Sequence, residues 1–143
     1  MITYNLINVK NDFNDFLKIT EFLKEFGENN SIDPKSIFQI NLSLEEIFNN
    51  ILLYGYAKDK SIKISFKFEL RQNSLLVVVE DDAPEFDPLE IPEPDTTSSL
   101  KNRKVGGLGI FLVRSLMDRV TYKREKNKNV LRIEKKLIVK TDQ

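Results

Sequence analysis

Apolar side chains recur at alternating spacings of three and four along one stretch of this sequence, and no other feature constrains the fold as strongly. A helix start is indicated at Ser31 to Lys35, where Pro34 suits the first turn. Spacings of this kind are typical of an amphipathic helix that packs one face against a core. We therefore predict a long helix whose apolar stripe consists of Ile37, Ile40, Leu44, Ile47, Ile51 and Tyr54.

The remaining patterns alternate between period-two runs, which are typical of strands, and further helical runs. Gly27 is expected to stop the first helix, and a polar turn at residues 71–73 is expected to join two strands as an antiparallel hairpin. Alternating helices and antiparallel strands predict an α/β sandwich. Strands are predicted at residues 2–8, 61–70, 74–82, 119–124 and 129–139, and two further helices at 11–26 and 106–118.

Composition limits the chemistry. The chain has 143 residues, which suits one domain with one core, and its 22 basic and 22 acidic residues give a formal net charge of zero. No overall field therefore draws it to nucleic acid or to anionic lipid. It has no cysteine and no histidine, which excludes thiol chemistry and removes the commonest general base. Phosphoryl transfer with Mg²⁺ fits the remaining carboxylates, amides and hydroxyls.

Targeting signals are not apparent. The first residues do not combine a basic segment with an apolar run, and no stretch of about 18 apolar residues occurs. We therefore expect a soluble cytoplasmic protein without a membrane segment.

A long irregular segment divides the second half of the chain. Residues 83–105 contain four of the five prolines, and loops of this length inside a compact domain are usually functional or mobile. Residues 80–95 carry eight acidic side chains and no basic one, whereas residues 119–140 are mostly basic. These charges form either two solvated surfaces or a surface for a partner or a cation.

Polar residues on the long helix differ in the direction they face. At about 100° per residue, Glu46 and Asn50 lie on the flank of the apolar stripe, while Glu45 and Asn49 point away from it. A carboxylate and a carboxamide four residues apart are neighbours on one face. An amide oxygen suits Mg²⁺, and the carboxylate could accept a hydroxyl proton. Alternatively, both residues simply flank an amphipathic helix.

An aspartate ends the most apolar strand. The period of two places Asp81 on the same side as Val77 and Val79, so it is partly buried if those valines face the core. A buried carboxylate needs a hydrogen-bond donor, and the amino group of adenine would be one. An ordinary turn aspartate is the alternative.

Three glycines precede the last helix. Gly106, Gly107 and Gly109 would let backbone approach a phosphate closely at a helix N-terminus. The basic residues Lys101, Arg103 and Lys104 come just before them. The same glycines could instead form a flexible entry to a core helix.

The three segments occur in the order helix, strand and loop, glycine loop and helix, which together resemble the N, G1 and G2 boxes of the GHKL ATPases. The similarity spans roughly residues 36–135 and is greatest to the bacterial anti-sigma-factor serine kinases. It implies an α+β two-layer sandwich with a mixed, mostly antiparallel sheet and helices on one face, forming one domain over residues 1–143 with an ATP lid at about 83–105. The segments that carry it are Glu46 to Asn50, Glu80 to Pro88 and Gly106 to Arg114.

The resemblance also implies roles for individual residues. Asp81 would bind the adenine amino group, Asn50 would hold Mg²⁺, and Glu46 would activate a substrate serine. Family members bind a sigma factor, phosphorylate a small anti-anti-sigma (STAS-type) protein and are often dimers, so a homodimer is one implied state and direct nucleic-acid binding is not expected. The remaining residues implied to contact ATP are Ala83, Phe86, Lys104, Gly106, Gly107, Leu108 and Gly109.

This chain departs from the family pattern in several places. Ala83 and Glu85 stand where the G1 box usually has glycines, and Tyr54 replaces a frequent histidine. Without histidine the chain cannot carry a phosphoacceptor histidine, which excludes a complete sensor histidine kinase. The alternatives to a kinase are a non-catalytic protein-binding module of the same fold and, less favoured because no transducer segment is apparent, an ATPase piece of a larger machine.

Overall fold

The computed structural model describes residues 3–54, 62–90 and 107–138 of the chain. Five strands and three α-helices occur in this part, together with 3₁₀ turns at Phe13–Phe16 and Pro88–Glu90. Most predicted elements are present with boundaries within a few residues. The strands are β1 (Thr3–Val9), β2 (Ile64–Leu70), β3 (Ser74–Asp81), β4 (Arg119–Glu125) and β5 (Lys128–Lys136), and the helices are α1 (Leu17–Asn29), α2 (Pro34–Tyr54) and α3 (Gly107–Leu116).

The sheet has the strand order β1-β2-β3-β5-β4, and all four pairings are antiparallel. The α+β two-layer sandwich is thereby confirmed, with no parallel pair among the described strands. One face of the sheet packs with the helices in the main core, where Phe66 of β2 lies opposite Val79 of β3 and Val79 opposite Leu131 of β5. Leu76, Val78 and Val130 form a separate buried cluster on the other face. None of the described helices is long and apolar enough to cross a membrane.

Gly27 does not stop α1, contrary to the prediction. The helix continues to Asn29, and Ser31, with φ 55°, ends it while the N–H of Ile32 donates to the carbonyl oxygen of Gly27 at 2.9 Å. A Cβ atom at Gly27 would lie 2.7 Å from Cγ1 of Ile37. The glycine is therefore used for the close approach of α1 and α2.

Local sequence signals define the start of α2 and the turn between β4 and β5. Asp33 caps α2, since its Oδ2 accepts a hydrogen bond of 2.9 Å from the backbone N–H of Ser36. At the other end of the chain, Lys126 and Asn127 join β4 to β5 with φ values of 52° and 62°, as a two-residue hairpin turn requires. This turn fixes the register in which Asn129 lies opposite Arg124 of β4.

Candidate functional site

Asn50 of α2 lies inside the protein, as its predicted position beside the apolar stripe requires. Only 3% of its surface is exposed, and among the described residues its Nδ2 atom has no hydrogen-bond partner. Leaving a buried amide unpaired costs about 1–3 kcal/mol. The unpaired amide group is therefore available to a ligand.

Glu46 lies one helical turn before Asn50 and is half-buried, whereas Glu45 is exposed. Burial raises the pKa of the Glu46 carboxyl above its usual value, and the negative charge of Glu45 raises it further. No described residue donates a hydrogen bond to this carboxylate. It is therefore a group that binds a proton more readily than an exposed glutamate does.

Asp81 ends β3 and is 5% exposed, which agrees with its predicted inward direction. Its Oδ1 accepts hydrogen bonds from the backbone N–H of Ala83 at 3.0 Å and from Nδ2 of Asn129 at 2.8 Å. Burial raises the pKa of the Asp81 carboxyl, although these two hydrogen bonds and the nearby Arg124 oppose the shift. No described group donates to Oδ2, so that oxygen is left for a ligand.

The side chain of Asn129 in β5 hydrogen-bonds to several parts of this region, and no sequence motif marked this residue. Besides Asp81, its Nδ2 donates to the carbonyl oxygen of Pro84 at 3.0 Å. Its Oδ1 accepts from the backbone N–H of Phe86 at 3.2 Å and from the hydroxyl of Tyr122 at 2.6 Å. One available signal was the period of two in β5, which places residue 129 on the inward side with Leu131 and Ile133.

Two arginines also hold the segment that follows β3. Nη1 of Arg124 donates to the carbonyl oxygen of Ala83 at 2.8 Å, and Nη2 of Arg114 donates to that of Leu89 at 2.6 Å. Ala83 is buried and Glu85 is exposed at the positions where glycines were expected. Side-chain hydrogen bonds therefore fix a segment that glycines would have left freer.

A cavity of about 30 Å³ lies between these elements. Asn50 and Asp81 both line it, so the structure brings these two predicted residues to one place. A cavity of this size holds about one water molecule. The other lining residues are Ile47, Ile51, Val79, Phe86, Pro88, Ile110, Tyr122, Asn129 and Leu131.

The glycine segment is described only in part. Gly107 begins α3, Leu108 follows it in the helix, and Gly109 is buried in the first turn. Lys104 and Gly106 lie outside the described residues, as do Lys101, Arg103 and residues 91–105 of the predicted lid. The expectation that these residues approach a phosphate therefore stays a prediction.

The residues present fit a magnesium ion held mainly by phosphate and water. Mg²⁺ needs only one or two protein oxygens in such sites, and the carboxamide oxygen of Asn50, which lines the cavity, could provide one. The described part of the chain contains no group of three or more acidic residues that could hold a metal alone. Any ion here would therefore depend on the ligands that a nucleotide brings.

The profile of the histidine kinase-like ATPase domain matches residues 11–135 of the chain. The chain belongs to this family. Membership agrees with the fold and with the cavity between α2, β3 and α3, and it confirms the resemblance inferred from the three sequence segments.

Two curated relatives are the serine-protein kinases RsbW of Staphylococcus aureus strains MSSA476 and JH9. Each is 28% identical over 89 residues, which cover 59% of this chain and 56% of the relative. The matched part thus spans little more than half the length of these relatives.

Two solved structures share the fold of this ATPase domain. The RsbU and RsbW domains of Rv1364c from Mycobacterium tuberculosis superpose with a TM-score of 0.67 at 14% identity, covering 94% of this chain and 32% of that one. The histidine kinase domain from the Erythrobacter litoralis EL346 blue-light activated histidine kinase has a TM-score of 0.54 at 16% identity, covering 87% and 60%. At sequence identities this low, the superpositions show a shared fold and nothing about activity.

Proposed function

We propose that the chain is the Mg-ATP-binding domain of a serine/threonine protein kinase of the anti-sigma-factor type. The observation that carries the proposal is one cavity lined by both Asn50, whose Nδ2 has no partner among the described residues, and Asp81, whose hydrogen bonds from described residues go to Oδ1. Glu46 lies one turn away on the same helix. The similarity to serine-protein kinases named RsbW supports a protein kinase over the other functions of this ATPase family.

The adenine would be bound at Asp81. Its Oδ2 would accept a hydrogen bond from the exocyclic amino group, while Asn129 and the backbone N–H of Ala83 hold Oδ1. A buried carboxylate that is met by a donor rejects bases that present an acceptor in the same place. This arrangement therefore favours adenine over guanine.

The phosphates would lie toward Asn50 and the first turn of α3. Asn50 would hold Mg²⁺, which neutralises charge on the phosphate oxygens when it is bound. The free backbone N–H groups at the start of α3 suit an anion. We include Lys104, Gly106, Gly107, Leu108 and Gly109 in this phosphate-binding region as part of the proposal.

Glu46 would act as the base in phosphoryl transfer. The oxygen of a serine or threonine hydroxyl on the partner bonds to the γ-phosphorus, the bond from that phosphorus to the ADP oxygen breaks, and the hydroxyl proton passes to the Glu46 carboxylate. The raised pKa of Glu46 suits this role, because a stronger base accepts the proton more readily.

We propose two partners for this domain in the cytoplasm of a bacterium. One is a sigma factor, which the domain would sequester, and the other is a small anti-anti-sigma protein of the STAS type, which it would phosphorylate. The RsbW similarity supports both, and a homodimer is the assembly we would test first. Neutral net charge gives no reason to add nucleic acid to the partners.

Calorimetric titration with ATP, with and without Mg²⁺, tests the nucleotide site. We expect magnesium-dependent binding in the unaltered protein and its loss in Asn50→Ala, whereas Asn49→Ala, one residue along the same helix, binds normally. Glu46→Gln should bind ATP nearly as well but transfer no phosphate to an anti-anti-sigma protein from the same genome. Full transfer by this variant would remove Glu46 from the mechanism.

A second candidate is a protein-binding module that does not turn over nucleotide. It is favoured by the side-chain hydrogen bonds that hold Ala83 and Pro84 against β4 and β5. Tight binding of a sigma factor by a protein that ignores millimolar ATP would favour this candidate over the kinase.

A further inference from the structure

Gly109 contacts the side chain of Glu46 directly. It is a buried residue in the first turn of α3, and a Cβ atom placed on it would lie 3.3 Å from Cδ and 3.5 Å from Cβ of Glu46, and would overlap Oε2. The carboxylate thus occupies the space that any other residue at position 109 would fill.

Glycine is not needed here for the backbone. Gly109 lies within α3, and glycine in a helix is less favourable than alanine by about 1 kcal/mol. The three nearest atoms that a Cβ would meet outside the backbone of α3 all belong to Glu46. The close approach of α3 to one side chain of α2 therefore accounts for the glycine.

Few other contacts fix the direction of the Glu46 carboxylate. No described residue donates a hydrogen bond to it, and the charged group that acts on it is Glu45 of the same helix. The charged side chain of α3, Arg114, lies in the last turn and binds the carbonyl oxygen of Leu89 instead. The packing of α3 is therefore the main constraint on the direction of the flexible Glu46 side chain.

We propose that Gly109 is a positioning residue for Glu46. Its missing side chain lets the carboxylate lie against the first turn of α3, which sets where the carboxylate points. The part of the inference that concerns catalysis rests on the proposed function, in which Glu46 is the base. The contact itself can be tested without any enzyme assay.

Thermal unfolding of four proteins tests the contact: the unaltered chain, Gly109→Ala, Glu46→Ala and the double variant. Gly109→Ala should raise Tm by less when Glu46 is present, because the new Cβ must displace the flexible Glu46 carboxylate. It should raise Tm more in the Glu46→Ala background, because the remaining Cβ at position 46 leaves ordinary contact distance and alanine favours the helix. Ser115→Ala, on the surface of α3, is the control for a substitution away from Glu46, and it also removes the hydrogen bond from the Ser115 hydroxyl to the carbonyl oxygen of Phe111. An equal change of Tm in both backgrounds would overturn the proposal.

Titration of the Glu46 carboxyl by ¹³C NMR tests positioning. Burial raises its pKa in the unaltered protein, so a carboxylate pushed toward solvent by Gly109→Ala should titrate at lower pH. An unchanged midpoint would mean that Gly109 does not set the position of this group. Ser115→Ala should leave the midpoint unchanged.

Phosphate transfer to an anti-anti-sigma protein connects the contact to activity. We expect Gly109→Ala to lower kcat, measured at saturating Mg-ATP, by about a hundredfold, since misplacing a catalytic group by about 1 Å has effects of this size. An unchanged kcat in an active kinase would contradict the positioning role. If the unaltered protein transfers no phosphate, the proposed function fails, while the unfolding and titration experiments still decide the contact.

Discussion

Nδ2 of Asn129 lies 2.8 Å from the Asp81 carboxylate, across the pairing between β5 and β3. The same asparagine side chain also binds the segment of residues 84–86 and the hydroxyl of Tyr122. It therefore connects the adenine-binding carboxylate of the proposal to the loop that follows it. Four predictions follow from this site and from the packing beneath it.

Replacing Asp81 by Asn should separate stability from binding. Asn keeps an oxygen for the Ala83 and Asn129 hydrogen bonds but presents an amino group where adenine needs an acceptor. We expect a higher Tm for the nucleotide-free protein, because a buried charge is removed, and at least a tenfold loss of ATP affinity, or about 1.4 kcal/mol. Calorimetry and thermal unfolding measure the two effects. Retained ATP affinity would contradict the role of Asp81.

Acidification should affect stability and binding in opposite directions. Burial raises the pKa of Asp81 in the folded protein above its value in the unfolded chain. As the pH falls, the folded state therefore takes up a proton on Asp81 before the unfolded chain does. Protonation of Asp81 stabilises the fold fully below the pKa of the unfolded chain, and this contribution is lost as the pH rises through the pKa of the folded protein. ATP binding requires the carboxylate and should weaken as the pH falls through the same range.

The pH experiment has a matched control in Asp81→Asn, which lacks the titrating group. The difference in Tm between this variant and the unaltered protein should shrink as the pH falls through the pKa of Asp81. A constant difference would show that Asp81 does not titrate in this range.

Asn129→Ala should destabilise the fold by about 3 kcal/mol. It removes the hydrogen bonds of the Asn129 side chain to Asp81, Pro84, Phe86 and Tyr122, and each intramolecular hydrogen bond contributes about 0.5–1.5 kcal/mol. Tyr122→Phe removes one of these hydrogen bonds and should cost about 1 kcal/mol. Urea unfolding compares the two variants, and equal losses would mean that Asn129 does not organise the loop.

Gly27→Ala should destabilise the protein by about 1–3 kcal/mol through overpacking between α1 and α2. The new Cβ would meet Cγ1 of Ile37 at 2.7 Å and Cδ1 at 3.0 Å. Ile37→Ala removes both atoms, so Gly27→Ala should cost much less in that background. ATP affinity should stay the same in these variants, because they lie outside the nucleotide cavity. Additive losses in urea unfolding would rule out this contact.

The sequence by itself determined the features that depend on local periodicity. The rotation per residue of a helix separated Asn50 and Glu46 from Asn49 and Glu45, and the alternation of a strand turned Asp81 inward. These directions follow from backbone geometry within a few residues. The α+β architecture followed from the order of such segments.

Tertiary structure decided which groups meet across the chain. Asn129 reaches Asp81 only because β5, rather than β4, pairs with β3, and local patterns do not specify that order. In the same way, the packing of α3 on α2 brings Gly109 against Glu46, and the packing of α1 on α2 makes Gly27 a contact residue rather than a helix stop. Glycine signals a tight turn and a close approach equally well, and only the neighbouring element distinguishes them.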